Sequence, residues 1–195
     1  MTPRPAPHAR GVSLIVVLVI LAITSILGVS AAHLSMMTER GARNDRDMQM
    51  AWQAAEAALM DAELDLTSPA RNGRAVAFEN HDFSLFVEQG CGATGPGKGL
   101  CDARQVGGRP LWLSIDLAAQ DAPATQYGEF TGSEFASGPQ GLRPAGKPRY
   151  LIEALPDRTG DASGPARRFV YRVTALGFGP REDIQAVVQM LFRRD

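Results

Sequence analysis

A chain of 195 residues with a formal net charge of −1 and 45% hydrophobic residues has room for one modest core beyond a membrane segment, and not for two. So small a net charge gives no overall field to select nucleic acid or an anionic surface. The arginine pairs Arg167-Arg168 and Arg193-Arg194 carry no aromatic interleaving, so they read as solvated surface and no nucleic-acid partner is expected.

Residues 1–10 are polar and proline-rich, with Arg4 and Arg10 and no acid, and Gly11 closes this leader. Val12 to Ala32 is then unbroken by any charge, and the first charged residue after it is Glu39. As a helix, 12–32 spans about 31 Å, close to the ~30 Å hydrocarbon thickness of a bilayer. Backbone groups in lipid must pair within their own segment, which imposes a helix despite the many β-branched residues.

Two ordinary readings compete for such a segment: a cleaved secretory signal, with Val29-Ser30-Ala31 as a loose cleavage site, and a plain single-pass anchor. The next stretch argues against cleavage there. From Ser35 to Leu66 there is no proline, and Gly41 is the only glycine. Met48, Ala51, Trp52, Ala55, Leu59, Ala62 and Leu66 recur at steps of three and four, the pattern of one buried helical face. Glu39 and Arg43 form a favourable i, i+4 pair, and Thr67-Ser68-Pro69 ends the pattern. The membrane helix therefore runs into an amphipathic one, about 55 residues and ~80 Å in all. Its segments are 1–11 as leader, 12–32 as transmembrane half, 33–66 as amphipathic half and 67–195 as globular domain.

Beyond the helix, Phe83–Glu88 and Leu111–Ile115 are short strand candidates. Cys91 and Cys101 flank a glycine-rich loop and do not fit a zinc site, having no C-x-x-C and no histidine pair nearby. They form a bridge in an oxidising compartment and two free thiols in a reducing one. Gly92 to Gly99 approaches a phosphate-loop pattern but ends in Gly99 where Ser or Thr would hold Mg²⁺, with no helical pattern after it. Asp116–Pro148 is poor in pattern and rich in turn formers, so it reads as loop and as a candidate partner segment.

Arg149–Leu155 is a strand, followed by a polar connection from Pro156 to Arg168. Asp157 and Asp161 within it fall short of the six to eight oxygens calcium takes. Phe169, Tyr171, Val173 and Ala175 alternate with Val170, Arg172 and Thr174, and Ile184, Ala186, Val188, Met190 and Phe192 share one face with Gln185 and Gln189 on the other. Gly177–Asp183 is the hairpin loop between them. The outcome is an α+β fold: an antiparallel sheet over the apolar face of the helix, with Trp52, Leu59, Tyr171 and Val173 in the core. Three separated histidines, no nucleophile motif and no metal-ligand set point away from catalysis, from a metal and from a cofactor.

Thr38–Leu59 contains Glu39-Arg40, Asn44-Asp45-Arg46-Asp47 and Gln53-Ala54-Ala55-Glu56-Ala57-Ala58 in one order. That order resembles the juxtamembrane signature of PilX-type minor pilins of the type IV pilin superfamily. Tyr171–Ala175 resembles their closing strands. About Ser68 to Gly146 carries no such likeness.

The resemblance implies a pilin-like fold, cleavage after Gly11 by prepilin peptidase, and N-methylated Val12 as the mature N-terminus. It also implies assembly roles for Glu39, Arg40, Asn44, Arg46 and Asp47. The implied life history is storage in the inner membrane with a periplasmic domain, then recruitment into an extracellular pilus. Partners follow: other minor pilins, the major pilin, a large tip adhesin and the inner-membrane assembly platform. The implied periplasm favours the Cys91–Cys101 bridge. Val16 stands where most pilins carry a glutamate that pairs with a neighbour's N-terminal ammonium. Two readings stand: a subunit at the tip has no neighbour to supply that cation, so losing the carboxylate removes a penalty in lipid, or a scarce subunit simply tolerates the loss. Gly28 and Ala32 form a small-x-x-x-small pair that permits close helix approach. The alternatives are a membrane-anchored periplasmic binding module and a minor pseudopilin of type II secretion.

Overall fold

The computed structural model describes residues 12–68, 73–78, 83–88, 90–103, 109–135, 138–139, 143–156 and 169–193. Gly11 and most of the 156–168 connection, with Asp157 and Asp161, lie outside them. The chain divides into two compact units, Met1–Asp45 and Arg46–Asp195. Helix α1 (Val12–Thr67) contributes to both.

In the first unit every described residue is helical. In the second, residues 46–67 of α1 lie on a five-stranded sheet, the α+β layout expected from the sequence. α1 ends where the Ser68 amide donates to the Leu64 carbonyl (2.9 Å) and Thr67 Oγ1 to the Glu63 carbonyl (2.8 Å). These bonds satisfy carbonyls that the helix leaves without an intrahelical donor. A short helix α2 (Ala75–Phe78) follows.

The sheet is built on β3 (Arg149–Pro156), β4 (Phe169–Phe178) and β5 (Gln185–Arg193), joined antiparallel. β5 shows the expected period of two: Ile184 and Ala186 are buried, Val188, Met190 and Phe192 are half-buried, and the residues between are mostly exposed. β4 runs three residues further than its alternation suggests, because Leu176, Gly177 and Phe178 keep the ladder with Val187, Ala186 and Gln185.

The sheet is mixed, where an antiparallel one was expected. β1 (Leu100–Asp102) runs parallel to β3, and β2 (Thr125–Gln126) pairs antiparallel with β3 beside the same edge. The residues between β1 and β3 are numerous enough for a parallel return.

Each face of the sheet has its own cover. Tyr150, Ile152, Ala154, Tyr171, Val173 and Ala175 pack with Ala58, Ala62 and Leu66 of α1 and with Phe78 and Phe86. On the opposite face Leu151, Leu176 and Phe178 pack with Leu111, Leu117 and Ala124. The segment read as unpatterned loop thus begins by closing the second face. Arg149 fixes it there by donating to the carbonyls of Leu117 (3.1 Å) and Ala119.

Two strand expectations are corrected. Phe83–Leu85 and Leu111–Leu113 are 3-10 turns. Phe83 and Phe86 pack together with ring centroids 5.3 Å apart, and a spacing of three brings both rings inward only on a turn. Leu111 is buried and Ile115 packs beside it while Leu113 is exposed, a helical rather than a strand-like alternation.

Trp52 is corrected as well. It is 50% exposed, and its Nε1 donates to Glu56 Oε1 at 2.7 Å. The buried face runs through Ala51, Ala54, Ala55, Ala58, Ala62 and Leu66, so the sheet approaches too closely to admit an indole. The contact reaches backbone level: a Cβ on Gly177 would collide with the Ala51 carbonyl oxygen and the Ala55 amide nitrogen. Gly177→Ala should therefore destabilise the protein by about 2–3 kcal/mol or more, read as a lowered denaturation midpoint of the detergent-solubilised chain. An unchanged midpoint would contradict the close helix–sheet approach.

Candidate functional site

The first unit presents apolar side chains on all sides. Leu14, Ile15, Val16, Val17, Leu18, Val19, Ile20, Leu21, Ile23, Ile26, Leu27, Val29 and Leu34 are all about half exposed or more. Together they represent on the order of 10–20 kcal/mol of apolar burial not yet realised. The helix is long and apolar enough to cross a membrane. Its hydroxyls turn back onto its own backbone: Thr24 and Ser25 donate to the Leu21 carbonyl, Ser30 to Ile26 and Thr38 to Leu34, at 2.7–3.0 Å. No bare hydroxyl at these positions then opposes lipid.

Val16 is 49% exposed among these apolar neighbours, and space for a Cβ at Gly28 is open. Glu39 accepts from Arg43 at 2.5 Å, with Arg40 and Asn44 exposed beside the pair. In the second unit Arg46 donates to Asp47 at 2.9 Å. An exposed i, i+4 pair such as Glu39–Arg43 contributes about 0.3–0.5 kcal/mol, so its charges serve the surface more than the fold. The structure pairs Glu39 with Arg43 and Arg46 with Asp47.

The second unit contains a buried polar cluster that periodicity did not reveal. Asp65 accepts from Arg74 Nη1 at 2.6 Å and from the Tyr150 hydroxyl at 3.0 Å. Arg74 Nη2 also donates to the Lys98 carbonyl and to Thr125 Oγ1, and its guanidinium lies over the Phe130 ring, 3.5 Å from the centroid. One turn earlier on α1, Asp61 accepts from the Gly128 amide (2.8 Å) and the Thr131 hydroxyl. The one available sequence signal was positional: Asp61 and Asp65 continue the stripe of Ala51, Ala54, Ala58, Ala62 and Leu66, and an acid on a buried stripe requires a partner. Which partner depends on residues nine to eighty-five positions away.

Burial pushes Asp65 up to about 6, against the opposing pull of Arg74 and Tyr150. Burial also lowers Arg74 and raises the Tyr150 hydroxyl, the latter reinforced by the Asp65 charge. Cys91 and Cys101 are joined as a disulfide. Between them, Gly95–Gly97 forms a single 3-10 turn and Leu100 begins β1, so no helix N-terminus faces the loop. Gly99 adopts φ +73°, and a Cβ there would collide with Thr125. Among the described residues no group of His, Cys, Asp and Glu could hold a metal ion.

A long helix with an uncovered apolar portion, whose later residues lie against a C-terminal mixed sheet, is the layout of a pilin-like subunit. The family profile described as PilX N-terminal matches residues 10–59, and the type IV pilus assembly protein PilX C-terminal profile matches residues 97–194. The chain belongs to the PilX family of type IV pilus assembly proteins. The second match takes in Cys101, β1 and the cover of the sheet's second face, for which the sequence offered no likeness. No curated protein and no solved structure matches the chain. Membership makes it a component of type IV pilus assembly that interacts with other pilus components.

The raised Asp65 carboxyl carries a pH signature. Its folded value lies above the unfolded 3.8. The stabilisation it contributes is therefore complete below about pH 4 and lost as pH rises through about 6, by about 3 kcal/mol. Asp65→Asn should remove this component. Denaturation of both proteins from pH 4 to 7 should show wild-type stability falling relative to the variant as pH rises, and parallel curves would contradict the burial-driven shift.

Proposed function

We propose that this chain is a minor pilin that primes type IV pilus assembly and enters the filament at or near its tip with other minor pilins. The observation that carries the reading is the exposed apolar helix of residues 13–37 in a chain of the PilX family. Lipid covers that surface while the subunit waits in the inner membrane, its globular domain periplasmic. Helices of other minor pilins and of the major pilin cover it after recruitment. Gly28 and Ala32 permit one such helix to come close. Glu39, Arg40, Asn44, Arg46 and Asp47 act just outside the apolar core of the assembly.

Prepilin peptidase cuts after Gly11 and methylates Val12, so the segments function as leader 1–11, membrane half 12–32, amphipathic half 33–66 and globular domain 67–195. The inner-membrane platform delivers the subunit, and a large tip adhesin sits beside it. Val16 supports the tip position: an apolar side chain at this place makes no demand for a cation from a subunit above.

Mass spectrometry of the mature N-terminus is expected to find methylated Val12. An intact Met1 would favour an anchored binding module that never polymerises. For the tip position, Val16→Glu is expected to alter cross-links to neighbouring minor pilins and to lower piliation severalfold. Unchanged cross-links with unchanged piliation would reject that placement.

A further inference from the structure

The disulfide and the buried ion pair are joined through one peptide carbonyl. The bridge between Cys91 and Cys101 closes a ring that contains Lys98. Inside the ring the backbone folds on itself: the Gly92 amide donates to Leu100 (3.0 Å), Gly99 to Gly92 (2.9 Å) and Lys98 to Gly95 (3.1 Å). The Lys98 carbonyl faces out of the ring and accepts from Arg74 Nη2 and from Thr125 Oγ1 (2.9 Å). The Lys98 ammonium meanwhile donates to both carboxylate oxygens of Glu129, at 2.8 and 2.9 Å. Arg74 passes the constraint to Asp65, and the loop that carries Glu129 holds Asp61 through Gly128 and Thr131. Both buried acids at the end of α1 are thus tied to a ring that one sulfur–sulfur bond closes covalently and these backbone bonds support.

We propose that the Cys91–Cys101 bridge is a redox-dependent clamp on the C-terminal end of α1: closed, it sets the Lys98 carbonyl against Arg74 and docks Asp61–Thr67; open, it lets the ring relax and that helix end come away from the sheet. Closure takes two thiols to one disulfide, and the two electrons and two protons pass to an exchange disulfide, which leaves as a dithiol. Opening is the reverse, with a dithiol reductant. With the covalent link gone only those backbone bonds hold the ring, so it samples more conformations and the Lys98 carbonyl is held less firmly at the place Arg74 reaches. Arg74 is fully buried, and the loss of an acceptor there is not made good by water. A subunit oxidised before recruitment therefore enters assembly with its helix end fixed to its domain. The clamp follows from these contacts and does not depend on a tip position.

Hydrogen exchange of the detergent-solubilised full-length protein tests this, in the oxidised and dithiothreitol-reduced states, with wild type and Arg74→Met. Reduction of wild type is expected to speed exchange of the 61–67 amides by about tenfold or more, while the β4–β5 ladder keeps its protection. Arg74→Met is expected to do the same in the oxidised state, with reduction then adding little. Three results would each overturn the proposal: unchanged 61–67 exchange on reduction, joint loss of 61–67 and β4–β5 protection, or additive effects of reduction and Arg74→Met. The wild-type comparison is decisive even if Arg74→Met does not fold.

Discussion

The apolar surface of residues 13–37 represents on the order of 10–20 kcal/mol of unrealised burial, comparable with the whole stability of a domain of this size. Left in water it would dominate the behaviour of the molecule through non-specific association. The chain must therefore always stand in an apolar environment, whether lipid or other helices. The internal hydrogen bonds of Thr24, Ser25, Ser30 and Thr38 suit either setting, because they ask nothing of the surroundings. The same economy is visible at Val16, where no charge has to be met by a neighbour.

The second unit follows a different constraint, close approach. A face made of Ala51, Ala54, Ala55, Ala58 and Ala62 buries little area per residue, so it stabilises only if the sheet comes very near. Gly177 permits this on β4. Small side chains also leave directionality to polar groups, and Asp61 and Asp65 supply it at the end of the helix. Breaking such a buried pair is costly even where forming it gains little, so Arg74 works as a specifier of position rather than as a source of stability.

Elements with a strong local period were legible in the sequence. α1, β4 and β5 announce themselves through steps of three to four or of two, β3 through its short apolar run, and the helix-plus-sheet class follows from them. The rest depends on partners distant in the chain. Phe83 and Phe86 face inward because Tyr171, Phe78 and Phe169 lie there to receive them, which no local pattern reveals. β1 is three residues long and runs parallel because of where β3 passes. Trp52 lies outside the core because the buried stripe runs one position round, on alanines small enough for the close approach. The juxtamembrane signature was legible as a motif, whereas the Asp65–Arg74–Lys98 connection needed the folded chain.

The central claim is that one helical surface is covered by lipid in the stored subunit and by other pilin helices in the filament. A photo-reactive amino acid at Ile20, irradiated in membranes and in sheared pili, tests it most directly. The account predicts adducts with lipid in the membrane fraction and cross-links to the helices of other pilins in the sheared fraction. Lipid adducts in membranes with no pilin cross-link in sheared pili would contradict it.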